Sequence, residues 1–486
     1  MNKLSNIFMN SGIRCKAHTG FLEEKNLKIL GYTLGYLLAE EFEYSCPILI
    51  ATDTRPSGNK IKQALIEGLL EFGHNIFDAG ICPTPFVAKA LKDFQGEDED
   101  LNDSDSRSNS GMTEEDNESF FTLGIVITAS HNPAEYNGIK ILTPFGYMDI
   151  AMEKELTDLF YTFANNSALI DESLPDEAGS IIDFDLQTWY QAELLDSIEK
   201  TNSNLSIVLD CANGATAQIA PRIFQTLGYQ VIAINNSCDG NKINVNSGCN
   251  DQQKLITQVQ NNNASWGIAF DGDGDRVIIV DQQGNIFDGD DILVILSQHE
   301  NYKDSSIVVG TIMTNVGIQK HFEQQGKKLI RTPVGERNLI EALIQHQAFL
   351  GSEACGHIII MDHAFCSDGI FTSLMFLQIV TKNSNLLDRK YAKHFQKHAT
   401  IPLSHLVISS SKQEFNSFVK NLIQKFEHAY QARCIVRPSN TEPILRIMIE
   451  DTDEQNAEKI LKELLEELKK ETKKMDPRLR EDEERE

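Results

Sequence analysis

No stretch of the chain holds the ~20 consecutive apolar residues that a membrane span requires. The first residues, Met1 to Ala17, show no basic segment followed by an apolar one. Neither a secretory signal nor a membrane partner is therefore expected. Cysteine is present but unorganised: nine residues, an odd number, are scattered from Cys15 to Cys434 without a Cys-x-x-Cys pair. That spacing argues against a disulfide framework and a structural zinc, and it suits a reducing cytoplasm. Positive charge is scarce too, with 44 Lys and Arg against 71 Asp and Glu, a formal net charge of −27. Such a field repels nucleic acid and anionic lipid. A site for a phosphorylated ligand would need cations of its own.

What is there is an α/β rhythm. Ile48–Ala51 reads as a buried strand, followed by a helical pattern over Lys60–Phe72 and a strand at Asn75–Phe77. Pro83-Thr84-Pro85 opens a further helix, and Leu123–Ile127 is the next strand. The rhythm returns at Ser206–Leu209, a helix to about Leu227, Gln230–Ile234 and Gly267–Phe270. It returns again at Ile307–Gly310, Val316–Gln325, Lys328–Arg331 and Asn338–Gln347. A shorter α+β part holds strands Cys434–Val436 and Ile444–Ile449 and a last helix with Ala457, Ile460, Leu461, Leu464, Leu465 and Leu468 on one face. The expected fold is α/β: three domains with mixed sheets (1–180, 181–285, 286–390) and a smaller α+β domain (391–470). Residues 96–119 hold ten acidic residues against one Arg and are expected to form a disordered surface loop. The almost wholly charged 471–486 is expected to be a solvated tail.

Four motifs carry chemistry. Asp271-Gly272-Asp273-Gly274-Asp275-Arg276 follows a strand and can turn three carboxylates toward one hard cation. An EF-hand would need Gly at Arg276 and Glu at Gln282, and it fails at both; a solvated acidic turn leaves three close carboxylates repelling one another. Thr128-Ala129-Ser130-His131-Asn132-Pro133, also at a strand end, offers a serine nucleophile with His131 beside it, or a plain capped turn. Lys140 lies a few residues downstream, a cation or an ordinary surface lysine. Gly351-Ser352-Glu353-Ala354-Cys355-Gly356-His357 supplies a carboxylate for sugar hydroxyls and a His expected to titrate near neutrality, or else a packed strand-to-loop junction. Arg437-Pro438-Ser439-Asn440-Thr441-Glu442-Pro443, with Arg446, reads as a phosphate clamp or as a simple polar turn.

In this order the four motifs resemble those of the α-D-phosphohexomutase superfamily, over about residues 5 to 468. Ser11-Gly12-Ile13-Arg14, Asp53-Thr54-Arg55-Pro56-Ser57-Gly58 and Pro83-Thr84-Pro85 add to the match. Within the superfamily, Asp210-Cys211-Ala212-Asn213-Gly214-Ala215, Gly267–Phe270 and Val277–Asp281 are most similar to bacterial phosphoglucosamine mutases. Asn440 points instead toward phosphomannomutases and phosphoglucomutases. Met9-Asn10, Cys15 and Cys355 depart from the family pattern; Cys355 stands where it has serine, a better hydrogen-bond partner.

The resemblance implies a four-domain, heart-shaped isomerase with its site in a central cleft, acting as a monomer or homodimer on a small phosphosugar. It implies interconversion of glucosamine 6-phosphate and glucosamine 1-phosphate, feeding UDP-N-acetylglucosamine and cell-wall precursor synthesis. Phospho-Ser130 would hand its phosphoryl group to the sugar and recover one from the bisphosphate. One Mg²⁺ would sit on Asp271, Asp273, Asp275 and the Ser130 phosphate, with a sugar 1,6-bisphosphate as priming activator. Arg14 and Arg276 would stabilise phosphoryl oxygens, and Lys140 or His357 would move protons, a task for which Lys140 would need its pKa lowered by a neighbouring cation. Glu353 and Cys355 would bind sugar, and Arg437, Ser439, Asn440, Thr441 and Arg446 the idle phosphate. Two other readings compete: an aspartyl-phosphate phosphatase with Asp271 as nucleophile, and a non-catalytic sugar-phosphate-binding paralogue.

Overall fold

The computed structural model describes residues 6–9, 12–42, 45–94, 121–166, 168–171, 177–200, 205–388, 391–403, 412–439 and 444–474. The acidic segment 96–119 lies outside the described residues, as do Asn10, Ser11, Asn440 and Thr441. The chain forms two compact units, one of Met1–Thr314 with Gly326–Asp388, the other of Asn315–Gln325 with Arg389–Glu486.

The first unit holds three mixed sheets. The first sheet contains β1 (Ile13–Lys16), β2 (Pro47–Thr52), β3 (Asn75–Ile81), β4 (Leu123–Ile127), β5 (Tyr136–Thr143), β6 (Gly146–Tyr147) and β7 (Ile181–Asp183). Its order is β1-β5-β4-β2-β3-β7, with β6 beside β5. The run β4-β2-β3-β7 is parallel, while β1 and β4 both pair with β5 antiparallel. Helices cover the parallel strands, so Ile48, Leu49, Ile50 and Ala51 are fully buried and read as one apolar run. The helix Glu24–Phe42, which the strand-centred reading passes over, packs on Gly58–Glu71. A Cβ on Gly31 would stand 2.2 Å from Leu65 O, and one on Gly68 2.4 Å from Tyr32 N, so glycine lets the two backbones approach.

The second sheet contains β8 (Ser206–Asp210), β9 (Gln230–Ile234), β10 (Trp266–Phe270), β11 (Val277–Asp281) and β12 (Ile286–Phe287), in the order β12-β11-β10-β8-β9. The third contains β13 (Ile307–Thr311), β14 (Lys328–Thr332), β15 (Leu350–Ser352) and β16 (Ile358–Ile360), in the order β14-β13-β15-β16. In both sheets an antiparallel strand joins a parallel set at the strand whose C-terminal end carries a motif: β11 beside β10, β16 beside β15.

The second unit is built on β17 (Phe395–Pro402), β18 (Arg433–Pro438) and β19 (Ile444–Asp451), all antiparallel in the order β17-β19-β18. Ala457, Ile460, Leu464 and Leu468 pack from the last helix into its core. That helix runs Glu454–Lys474, four residues into the stretch expected as a tail, because Glu and Lys are good helix formers. The helix Val316–Gln324, expected inside the third repeat, groups with this unit: Val316 N donates to Glu450 Oε1 at 2.6 Å.

Candidate active site

β4 is buried along its whole length and delivers the chain to Ser130, which is 2% exposed with φ +49°. Serine rarely takes that left-handed conformation, so the surroundings must enforce it. Its amide donates to Thr128 Oγ1 at 2.8 Å, and its Oγ donates to Asp271 Oδ2 at 2.7 Å. His131 Nδ1 lies 3.3 Å from the same Oγ.

The carboxylate loop follows β10 and touches the serine loop directly. A Cβ on Gly272 would stand 2.6 Å from Ser130 O. The turn Asp210–Ala215 supports it from behind: Ala215 N donates to Gly272 O at 2.8 Å. Carboxylate oxygens of Asp271, Asp273 and Asp275 lie within 4.8 Å of one another, all buried. Thr84 Oγ1 donates to Asp273 Oδ2 at 2.6 Å. Lys140 Nζ donates to Asp273 Oδ2 at 2.7 Å and Asp275 Oδ2 at 2.6 Å. Asp273 Oδ1 and Asp275 Oδ1 nevertheless stay buried without a hydrogen-bond partner. Burial, then Asp275 and Asp273, push the Asp271 carboxyl well above its usual range. Burial also opposes the Asp275 charge, but Lys140 and Arg276 outweigh it and bring that carboxyl down. Unpartnered oxygens on clustered carboxylates fit a hard divalent cation, and these three side chains are the ones that would hold it.

Two expectations about proton carriers need correction. Proton transfer by Lys140 would need its pKa lowered by a neighbouring cation. Burial does lower it, but Asp273 and Asp275 more than offset that and its pKa rises. His357 was expected to titrate near neutrality, yet burial and then Arg276 and Lys140 put it well below its usual value. Arg276 Nε donates to His357 Nε2 at 3.0 Å, so the imidazole carries its proton on Nδ1, 3.2 Å from Ser367 Oγ. Ser367 Oγ donates to Glu336 Oε1, and Tyr147 donates to Glu336 Oε2. Arg276, burial and Arg14 hold His131 down to about 2. Arg14 reaches the cluster from β1, where it pairs with Gly138, and burial lowers its own pKa.

The loop between β15 and β16 brings Glu353, Cys355 and His357 within 4.8 Å of one another. Glu353 Oε1 accepts the Gly335 amide at 3.0 Å, and Cys355 Sγ stands 3.8 Å from Glu353 Oε2. Cys15 is half-buried, its thiol donating to Thr19 O, and Met9 exchanges two backbone hydrogen bonds with Gly12. In the second unit Arg437 and Arg446 are direct cross-strand partners. Ser439 N donates to Ile444 O, and residues 440–443 lie outside the described residues.

The structure places four further residues here, none of them assigned a role by the motifs. Arg55, fully buried, pairs with Asp53 and donates to the Ser130 loop. Asn244 does the same from the second repeat. Glu336 and Thr84 anchor His357 and Asp273. The Asp53-Thr54-Arg55 match pointed to Arg55; for Asn244 and Glu336 the only signal was an unusual density of Asn and a Gly-Glu junction.

A buried serine thus stands against three clustered aspartates, on repeated α/β sheets. The chain belongs to the phosphoglucomutase/phosphomannomutase family: alpha/beta/alpha domain I matches at 5–165, domain II at 188–284, domain III at 288–398 and the C-terminal domain at 420–467. It is an isomerase, a mutase. It is similar to the phosphoglucosamine mutase of Carboxydothermus hydrogenoformans, 31% identical over 95% of this chain and 98% of that one. It is also similar to that of Thermodesulfovibrio yellowstonii, 33% identical over 94% and 97%. A phosphoglucomutase/phosphomannomutase family structure from Burkholderia thailandensis shares the fold, with a TM-score of 0.75 at 21% identity, covering 96% of this chain and 98% of that one.

Proposed function

We propose that this mutase interconverts glucosamine 6-phosphate and glucosamine 1-phosphate through phospho-Ser130 and a bisphosphorylated sugar, primed by a sugar 1,6-bisphosphate. The observation that carries it is the Ser130 Oγ hydrogen bond to Asp271 Oδ2 at 2.7 Å. It sets a buried serine with left-handed backbone against a carboxylate cluster with unpartnered oxygens. In the forward step the seryl O–P bond breaks as a new O–P bond forms to a sugar hydroxyl. The hydroxyl proton leaves, and the seryl oxygen is left to be rephosphorylated from the other end of the sugar. A Mg²⁺ ion on Asp271, Asp273 and Asp275 would offset the negative charge of the phosphoryl group. Arg14 and Arg276 stabilise its oxygens, and Lys140 holds Asp273 and Asp275 in place. The departing hydroxyl proton passes to solvent, because burial, Arg276 and Lys140 keep His357 from holding it, and His357 Nε2 instead orients Arg276. Glu353 and Cys355 are the candidates of the first unit for sugar hydroxyls, and Arg437, Ser439, Asn440, Thr441 and Arg446 are those of the second unit for a phosphate.

The amino-sugar assignment rests on the curated relatives, 31–33% identical over nearly the whole chain. A cytoplasmic setting agrees with nine free cysteines, and among the described residues no helix is long and apolar enough to cross a membrane. The test compares kcat/KM for glucosamine, glucose and mannose phosphates with enzyme primed by the matching bisphosphate. The glucosamine pair should be fastest. A tenfold preference for mannose or glucose phosphate would instead make Asn440 the better guide and place the protein with the phosphomannomutases and phosphoglucomutases. Phosphate trapped on Asp271 and not on Ser130 would revive the phosphatase reading.

A further inference from the structure

Every main-chain carbonyl from Ala129 to Pro133 is engaged. Ala129 O takes the Asn132 amide, and Pro133 O takes the Tyr136 amide and Arg55 Nη1. Ser130 O accepts from Arg55 Nη2 at 2.9 Å and Asn244 Nδ2 at 2.8 Å. His131 O accepts from Asn250 Nδ2 at 2.8 Å. Asn132 O accepts from Arg55 Nη2 at 2.7 Å and Asn244 Nδ2 at 3.1 Å. An ordinary surface turn leaves such carbonyls to water. Here three side chains from two distant parts of the sequence, Arg55 and the segment of Asn244 and Asn250, take those of Ser130 to Pro133.

The arrangement closes on itself. Asp53 Oδ2 accepts Arg55 Nε at 2.9 Å and Thr128 Oγ1 at 2.7 Å, and Thr128 Oγ1 accepts the Ser130 amide. Both peptide groups of Ser130 are thus traced to one buried carboxylate. Asn244 has φ +60°, its amide held by Ala212 O at 2.9 Å. Its Oδ1 is buried without a hydrogen-bond partner, a cost that an apolar side chain would avoid. The orientation is forced, because a flipped amide would set oxygen against the two carbonyls.

We propose that Asn244 and Asn250, together with Arg55, are positioning residues that clasp the Ser130 loop by its carbonyls and fix the seryl oxygen for phosphoryl transfer. The inference rests on Ser130 being the phosphoryl carrier. A seryl phosphate needs donors and cations around it, and carbonyl lone pairs facing it would raise its energy. The clasp occupies those lone pairs and holds the left-handed backbone at Ser130 without touching substrate.

The test compares Asn244→Ala, Asn244→Asp, Asn250→Ala and Ser130→Ala, with circular dichroism and Tm measured beside kcat and KM. Asn244→Ala should lose kcat, by roughly 100-fold, as expected when a reacting atom is misplaced by about an ångström. KM for the sugar phosphate should hold. Asn244→Asp should be slower still, since a carboxylate then faces two carbonyls; a residue that merely filled space would tolerate that isostere. Asn250→Ala should show the same kcat-only loss, smaller in size, and it carries the test if the Asp variant does not fold. Parental kcat in Asn244→Asp, or in both alanine variants, overturns the clasp. An inactive Ser130→Ala beside such variants leaves the phosphoserine reading standing, whereas an active Ser130→Ala removes that reading and the clasp together.

Discussion

The loops at Ser130 and at Asp271–Asp275 both end buried strands and lie against each other, yet they treat their polar atoms in opposite ways. The serine loop has every carbonyl from Ala129 to Pro133 bonded. The aspartate loop leaves two buried carboxylate oxygens without a hydrogen-bond partner, although Lys140 and Thr84 reach its other oxygens. Folding alone favours the first arrangement, since a buried unpaired oxygen costs ~1–3 kcal/mol. The difference separates a fixed stage from a charge held ready for a cation.

Ser130→Ala is the hardest blow to the fixed stage. It should lower kcat by a factor on the order of 10⁴ or more while leaving the fold intact; steady-state turnover together with circular dichroism decides. Asp273→Asn strikes the charged loop. It should raise the Mg²⁺ concentration for half-maximal activity at least about 10- to 100-fold, the range that even outer partners of a metal site command. A Mg²⁺ titration reading the same midpoint as the parent would erase the contrast between the loops. Asp271→Asn sharpens it differently. With chelator present, losing one of three crowded charges should raise Tm by roughly 2–4 °C per kcal/mol relieved. Scanning calorimetry with and without Mg²⁺ should show the gain shrinking once the cation is added. Cys355→Ser touches neither loop and should change kcat/KM by no more than about 2- to 12-fold, the worth of one neutral hydrogen bond.

Sequence reading reached the parts of the molecule where one local cause acts. Ile48–Ala51 and Leu123–Ile127 are legible because strands buried on both faces read as unbroken apolar runs. The strands β1 and β5 are not, since Arg14, Lys16, Asn137 and Lys140 interrupt them and their pairing joins residues more than a hundred apart. The same division runs through the site. Ser130 and the three aspartates stand out as motifs, whereas the direction of the Lys140 shift depends on which carboxylates lie beside it in space. Arg55 was visible as a match but not as the donor to four carbonyls. Asn244 had no motif to announce it.

The left-handed backbone at residue 130 also decides which amino acid can stand there. Threonine offers the same hydroxyl and accepts phosphate equally well, but a branched Cβ is poorly accommodated at φ +49°. Swapping one alcohol for the other is therefore no conservative change at this position. The choice of phosphate carrier is made by the shape of the main chain before any chemistry is asked of the side chain.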